Sequence, residues 1–204
     1  MFYKVCKFIC MLAFRMWYSI EYKGLENIPN GGGYIIICNH RSNLDPIILA
    51  GKVKKPICYM GKAELFKNPI LSFIFRHVNA FPVDRGSGDN SAIETSAKII
   101  ADRKILGMFP EGTRSRDGAP LRPKSGVALI AKMAYADVLP CSISYSDIGK
   151  FRSKVVVNYG KIISYDELGF TDSQSPREIK YATRMMFSRV LELLGEKENE
   201  DNNM

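Results

Sequence analysis

Histidine and tryptophan are scarce in this chain: His40, His77 and Trp17 are the whole supply in 204 residues. The cysteines are odd in number (Cys6, Cys10, Cys38, Cys58 and Cys141), and no pair has C-x-x-C spacing. With so few histidines beside them, no zinc pattern can be drawn. No disulfide framework is implied either, which suits a reducing compartment. Cys38 and Cys141 lie in apolar runs and read as small core residues. Long apolar runs are also missing. The longest near the N-terminus is Phe8 to Phe14, closed by Lys7 and Arg15. A spanning helix needs about 20 apolar residues. A secretory signal needs a longer apolar core and a small-residue cleavage site, and neither follows. No internal repeat occurs. Low complexity is confined to Gly31-Gly32-Gly33 and the polar tail after Gly195.

Acidic residues are outnumbered: 21 Asp and Glu against 29 Lys and Arg leave a formal charge of +8. A basic chain favours anionic partners, but nucleic acid, an anionic membrane and a phosphorylated substrate all qualify. The length and the 46% hydrophobic content suit one sizeable core rather than two domains. Three segments are expected: residues 1–20 as an amphipathic helix, 21–195 as one domain, and 196–204 as a polar tail. On a helical wheel Lys4, Lys7 and Arg15 fall within an arc of roughly 80°. The rest of residues 1–20 is mostly apolar, a pattern suited to a helix lying in a membrane interface. The alternative is a core helix carrying three solvated cations.

Further along, short apolar runs alternate with helical patterns. Strands are expected at 34–38, 57–60, 78–83, 105–109, 138–144 and 154–157. Helices are expected from Asp45-Pro46, around Asn68-Pro69, and at 91–103, 125–136 and 175–194, with Asp45 a candidate N-cap. The alternation implies an α/β fold: a mostly parallel central sheet flanked by helices. Ligands of such sheets bind beyond the carboxyl ends of the strands. Three polar clusters follow strands: Asn39–Asp45, Arg85, and Glu111–Arg116. If those strands are neighbours, the clusters share one rim.

His40 and Asp45 are separated by four residues, so a short loop can fold the carboxylate onto one imidazole nitrogen. That arrangement fixes the tautomer and stabilises the imidazolium formed when the other nitrogen takes a proton. On these residues alone, a loop histidine beside an N-capping aspartate explains the pattern equally well. The second cluster, Phe109-Pro110-Glu111-Gly112-Thr113-Arg114-Ser115, combines a turn glycine with donors. Arg116, Arg122 and Lys124 follow closely, and guanidinium groups suit phosphate oxygens. A base beside cations fits a hydroxyl near a phosphate. Lys52, Lys54, Lys55 and Lys62 flank the apolar stretch 65–75, where they could face anionic lipid, a coenzyme A donor or only solvent.

The string Asn39–Asp45 resembles the His-four-residues-Asp block of the glycerolipid acyltransferases. Phe109–Ser115 resembles their third block closely, Val83-Asp84-Arg85 the end of their second, and Val138-Leu139-Pro140 their fourth. The ordered set covers residues ~20–145, and within the family it is most similar to enzymes that acylate lysophosphatidic acid to phosphatidic acid. The resemblance implies that His40 is the general base and Asp45 its orienting partner. It implies that Glu111, Gly112, Thr113 and Arg114 position the glycerol phosphate, that Arg85 binds phosphate and that Lys124 assists. It implies an acyl-CoA or acyl carrier protein thioester as co-substrate, no metal, no other cofactor, and residence on the cytoplasmic face of the cell membrane as a peripheral or monotopic protein. One departure is visible: the family's second block often has a glycine where Asn79 or Ala80 stands here, and asparagine tolerates left-handed backbone. Other acceptors within the family (glycerol 3-phosphate, another lysophospholipid, an aminolipid) remain open. So does a non-catalytic basic membrane-binding module. Nucleic acid is not expected as a partner, because no recognition-helix or basic-aromatic pattern is present.

Overall fold

The computed structural model describes residues 2–83, 90–115, 117–171 and 175–195. Helix α1 (Phe2–Trp17) leads into strand β1 (Ser19–Lys23). There follow β2 (Tyr34–Cys38), α2 (Asp45–Ala50), β3 (Ile57–Lys62), α3 (Pro69–His77), β4 (Ala80–Val83), α4 (Asn90–Ala101) and β5 (Ile105–Met108). The chain closes with α5 (Gly126–Ala134), β6 (Asp137–Tyr145), β7 (Lys154–Tyr159) and α6 (Pro176–Leu194). Among the described residues one sheet forms, in the order β1-β7-β6-β2-β5-β3-β4. The pairings between these strands are parallel except the β6–β7 hairpin.

Every residue of β2 is buried, because helices cover both faces of the central strands. Alternate side chains go to opposite sides. Ile36, Cys38, Ile57, Leu139 and Ile143 join Ile48 and Leu49 of α2 on one face. Ile35, Ile37, Leu106 and Val138 meet Val127, Ile130, Met186 and Val190 of α5 and α6 on the other. A fully apolar β2 therefore reflects burial on two sides, and the mostly parallel α/β architecture expected from the alternation is present.

Three local features differ from the sequence reading. The first helix ends at Trp17, and Ser19–Lys23 forms an edge strand paired with β7 across more than a hundred residues of chain. Two charges in five residues gave that strand no apolar run to signal it. Asp45 does not cap α2: Leu44 holds that position, and Asp45 is already helical. Its carboxylate turns back to accept from the Arg41 and Ser42 amides at 2.7 Å each. Lys7 leaves the expected cationic stripe and turns inward, donating to the Val53 carbonyl at 2.7 Å.

Helix α1 docks through Tyr3, Lys7 and Phe14. Its other side leaves Phe8, Ile9, Leu12, Met16 and Trp17 exposed. Phe2 meets Phe73 of α3 edge-on, and α3 exposes Ile70, Phe73 and Ile74. Among the described residues no helix is long and apolar enough to cross a membrane.

Candidate active site

The parallel register sends β2 and β5, which are direct neighbours, into adjacent loops. His40 follows β2 and Glu111 follows β5, so the two conspicuous motifs meet on one rim. The Ser115 amide donates to the His40 carbonyl at 2.9 Å, joining the loops. Asn39 extends the ladder sideways. Its side-chain amide donates to the Ile143 carbonyl at 2.9 Å and its oxygen accepts from the Ile143 amide at 2.8 Å. The end of β2, and with it His40, is thereby tied to β6.

His40 Nδ1 lies 2.8 Å from Asp45 Oδ2. A carboxylate only accepts, so Nδ1 carries the hydrogen and Nε2 is left to accept a proton. Asp45 is fully buried, while the His40 side chain is 16% exposed. The imidazole is therefore held from the protein side and open on the other. Phe109 stacks on the imidazole with centroids 4.1 Å apart, and Tyr59 stacks in turn on Phe109. These contacts restrict rotation of the ring.

Glu111 is 3% exposed and faces inward. One oxygen accepts from the His40 amide at 2.7 Å, the other from the Leu121 amide at 2.8 Å. Burial raises its pKa, and these two bonds and His40 act against the rise. The carboxylate thereby joins the His40 loop to the chain beyond the turn. Gly112 has φ +72, and a Cβ there would sit 3.1 Å from the Lys124 side chain. A left-handed backbone and a close approach both call for glycine at this point. Thr113, Arg114 and Lys124 are exposed on the same loop. Arg85 and Arg116 lie outside the described residues.

The lysines grouped by sequence separate in space. Lys62 ends β3 on the His40 rim. Lys52, Lys54 and Lys55 precede β3, at the opposite end of the sheet. Asn79 adopts φ 63, so it occupies the left-handed position for which asparagine substitutes for glycine. Sequence reading missed Tyr145, whose hydroxyl lies 2.5 Å from Asp45 Oδ1. It stands a hundred residues from its partner, with no local pattern to mark it. The roles of Asn39 and of the Phe109 ring were missed too, although both adjoin or lie within recognised blocks. Among the described residues no group of three His, Cys, Asp or Glu is placed to hold a metal ion.

Known proteins resemble this chain in sequence and fold. A family model described as Acyltransferase matches residues 19–144. The 1-acyl-sn-glycerol-3-phosphate acyltransferase of Bacillus subtilis is 34% identical over 149 residues, covering 72% of this chain and 74% of that protein. The enzyme of the same name from Streptococcus pneumoniae is 29% identical over 93% of this chain and 73% of its own. The crystal structure of PlsC, the 1-acyl-sn-glycerophosphate (LPA) acyltransferase of Thermotoga maritima, matches with a TM-score of 0.71 at 26% identity. That match covers 94% of this chain and 79% of PlsC. The matched segment contains both loops of the rim and the strands that bring them together, and on this ground the chain belongs to the Acyltransferase family.

Proposed function

We propose that the chain is a 1-acyl-sn-glycerol-3-phosphate acyltransferase, transferring a fatty acyl group from a thioester to the free hydroxyl of lysophosphatidic acid and releasing phosphatidic acid. The observation that carries this reading is the hydrogen-bonded His40–Asp45 pair, with Asp45 buried and His40 partly open, on the same rim as the exposed Thr113, Arg114 and Lys124. A base at one end and cations at the other match an acceptor with a hydroxyl near a phosphomonoester.

His40 Nε2 takes the hydroxyl proton as the oxygen attacks the thioester carbonyl carbon, and Asp45 stabilises the imidazolium. The new C–O bond forms, and the tetrahedral oxyanion then collapses with cleavage of the C–S bond. The proton returns from His40 to the departing thiolate. Arg114 and Lys124 hold the phosphate, joined in this reading by Arg85, and Gly112 and Thr113 offer the turn and its donors. Glu111 serves by fixing the His40 backbone. Coenzyme A and acyl carrier protein both present a suitable thioester. Purified protein, anionic vesicles, lysophosphatidic acid and each donor supply the test. Phosphatidic acid formation that is lost in His40→Ala supports the reading. Unchanged turnover in that variant, or thioester consumption without lipid product, refutes it.

The exposed apolar sides of α1 and α3 support a peripheral position on an anionic membrane, with the acyl chain entering from that side. The free thiols suit the cytoplasmic face. Trp17 is the sole tryptophan and stands exposed on α1, so its emission reports the contact directly. A blue shift with phosphatidylglycerol vesicles is expected. No shift, with the protein remaining in the supernatant, rules the surface out.

A further inference from the structure

We propose that Tyr145 is a positioning residue for acyl transfer, acting through Asp45 rather than on substrate. The proposal rests on the reading of His40 as the base. Tyr145 is the last residue of β6 and lies one residue beyond the segment matched by the family model.

The geometry around Asp45 is asymmetric. Its Oδ2 accepts from His40 Nδ1 and from the Arg41 and Ser42 amides. Its Oδ1 accepts from Tyr145 at 2.5 Å. The carboxylate has no exposed surface and no Lys or Arg ion pair among the described residues. Hydrogen bonds therefore carry its charge, and on the Oδ1 side that task falls to one phenol. The bond also sets the rotation of the carboxylate, which decides whether Oδ2 points along the Nδ1–H direction. Tyr145 is itself braced, edge-on to Tyr18 with centroids 6.2 Å apart. Two residues upstream, Ile143 is the strand residue held by Asn39. The segment that positions His40 from behind is thus the segment that delivers the phenol. Burial and the neighbouring Asp45 charge push the Tyr145 hydroxyl far above its ordinary pKa, so it remains a donor at any working pH. The other titratable groups around the pair are Cys38 on β2, Glu111 after β5 and Arg41 in the intervening loop.

Loss of the phenol leaves more negative charge on the carboxylate facing the imidazole. The imidazolium is then favoured and the His40 pKa rises, while the carboxylate loses its fixed orientation. Tyr145→Phe is expected to lower kcat about 10-fold to 100-fold with KM values within about twofold, the range for a lost hydrogen bond to a charged group. The acid limb of the kcat profile should move to higher pH. In an Asp45→Asn background the same change should cost less than about twofold, because its route of action is gone. His40 can be titrated by NMR in a His77→Gln protein, which leaves a single imidazole to observe. Position-specific 3-fluorotyrosine at 145 keeps the fold and strengthens the donor, so it should lower the His40 pKa. An unchanged pKa in the fluorinated protein overturns the proposal. An equal kcat loss with and without Asp45 overturns it too. If His40→Ala retains turnover, the base reading itself fails. If that variant is inactive but Tyr145→Phe is silent, the role of Tyr145 alone fails.

Discussion

The two ends of the candidate site are built in opposite ways. At the end proposed to supply the base, Asp45 is fully buried and its carboxylate accepts four hydrogen bonds. His40 is stacked on Phe109, and its backbone is held by Glu111 and by Ser115. At the end proposed to hold the phosphate, Thr113, Arg114 and Lys124 stand exposed beyond a left-handed glycine. The difference suits the two roles proposed. A general base acts on a proton within a few tenths of an ångström, so its orientation has to exist before the substrate arrives. A dianionic phosphate brings its own charge, and long cationic side chains can close on it after contact. The base end should therefore govern kcat and the phosphate end KM.

The strongest way to break this comparison is His40→Ala. Turnover should fall by ~10²–10⁴, the usual worth of a general base, with the fold intact and KM for lysophosphatidic acid little altered. Circular dichroism and steady-state kinetics on the same preparation decide it. A large rise in KM in place of the fall in kcat would show that the imidazole binds the acceptor. Next in size is Arg114→Ala. A roughly 10-fold to 100-fold rise in KM for the acceptor is expected, about 1.4–2.7 kcal/mol, with kcat nearly kept. A matching loss in kcat would mean that the guanidinium acts in the transition state and that the division between the ends is false.

Much of this was legible in the sequence, and the limits have physical causes. The alternation of apolar runs specified a mostly parallel α/β sheet, because fully buried strands and amphipathic helices have different periods. The rim followed from neighbouring strands ending in polar loops. His40 and Asp45 were legible because a turn of four residues brings them together locally. The Asn79 departure resolved as expected, with the residue in the left-handed region. Three things could not be read. Strand β1 is held by an edge pairing to β7, a long-range contact that leaves no local mark. Tyr145 reaches Asp45 only because β6 lies beside β2 in the folded sheet. The inward turn of Glu111 depends on two backbone amides, and amides have no signature in a sequence.

Glu111 gives the smallest effect and the sharpest division. Its place in the string proposed to bind phosphate assigns it to one end, and its contacts with the His40 and Leu121 amides assign it to the other. Glu111→Gln preserves shape but replaces one acceptor oxygen with an NH₂ donor facing a backbone N–H. One of the two amides, of His40 or Leu121, then loses its partner, at a cost of about 1–3 kcal/mol. If the residue belongs to the base end, kcat falls while KM for lysophosphatidic acid stays within about twofold. If it holds phosphate, removing its negative charge should strengthen binding and lower KM. The pH dependence of stability separates these further. Burial raises the Glu111 pKa above its ordinary 4.5, so the native state binds this proton more tightly than the unfolded chain. Its contribution to stability is therefore greatest below 4.5 and is lost as pH rises through the native value. Glutamine carries no such proton, so denaturant midpoints of Glu111→Gln should fall less steeply over that window than those of the parent. An identical slope in the two proteins would place the carboxylate in solvent and return Glu111 to the phosphate end.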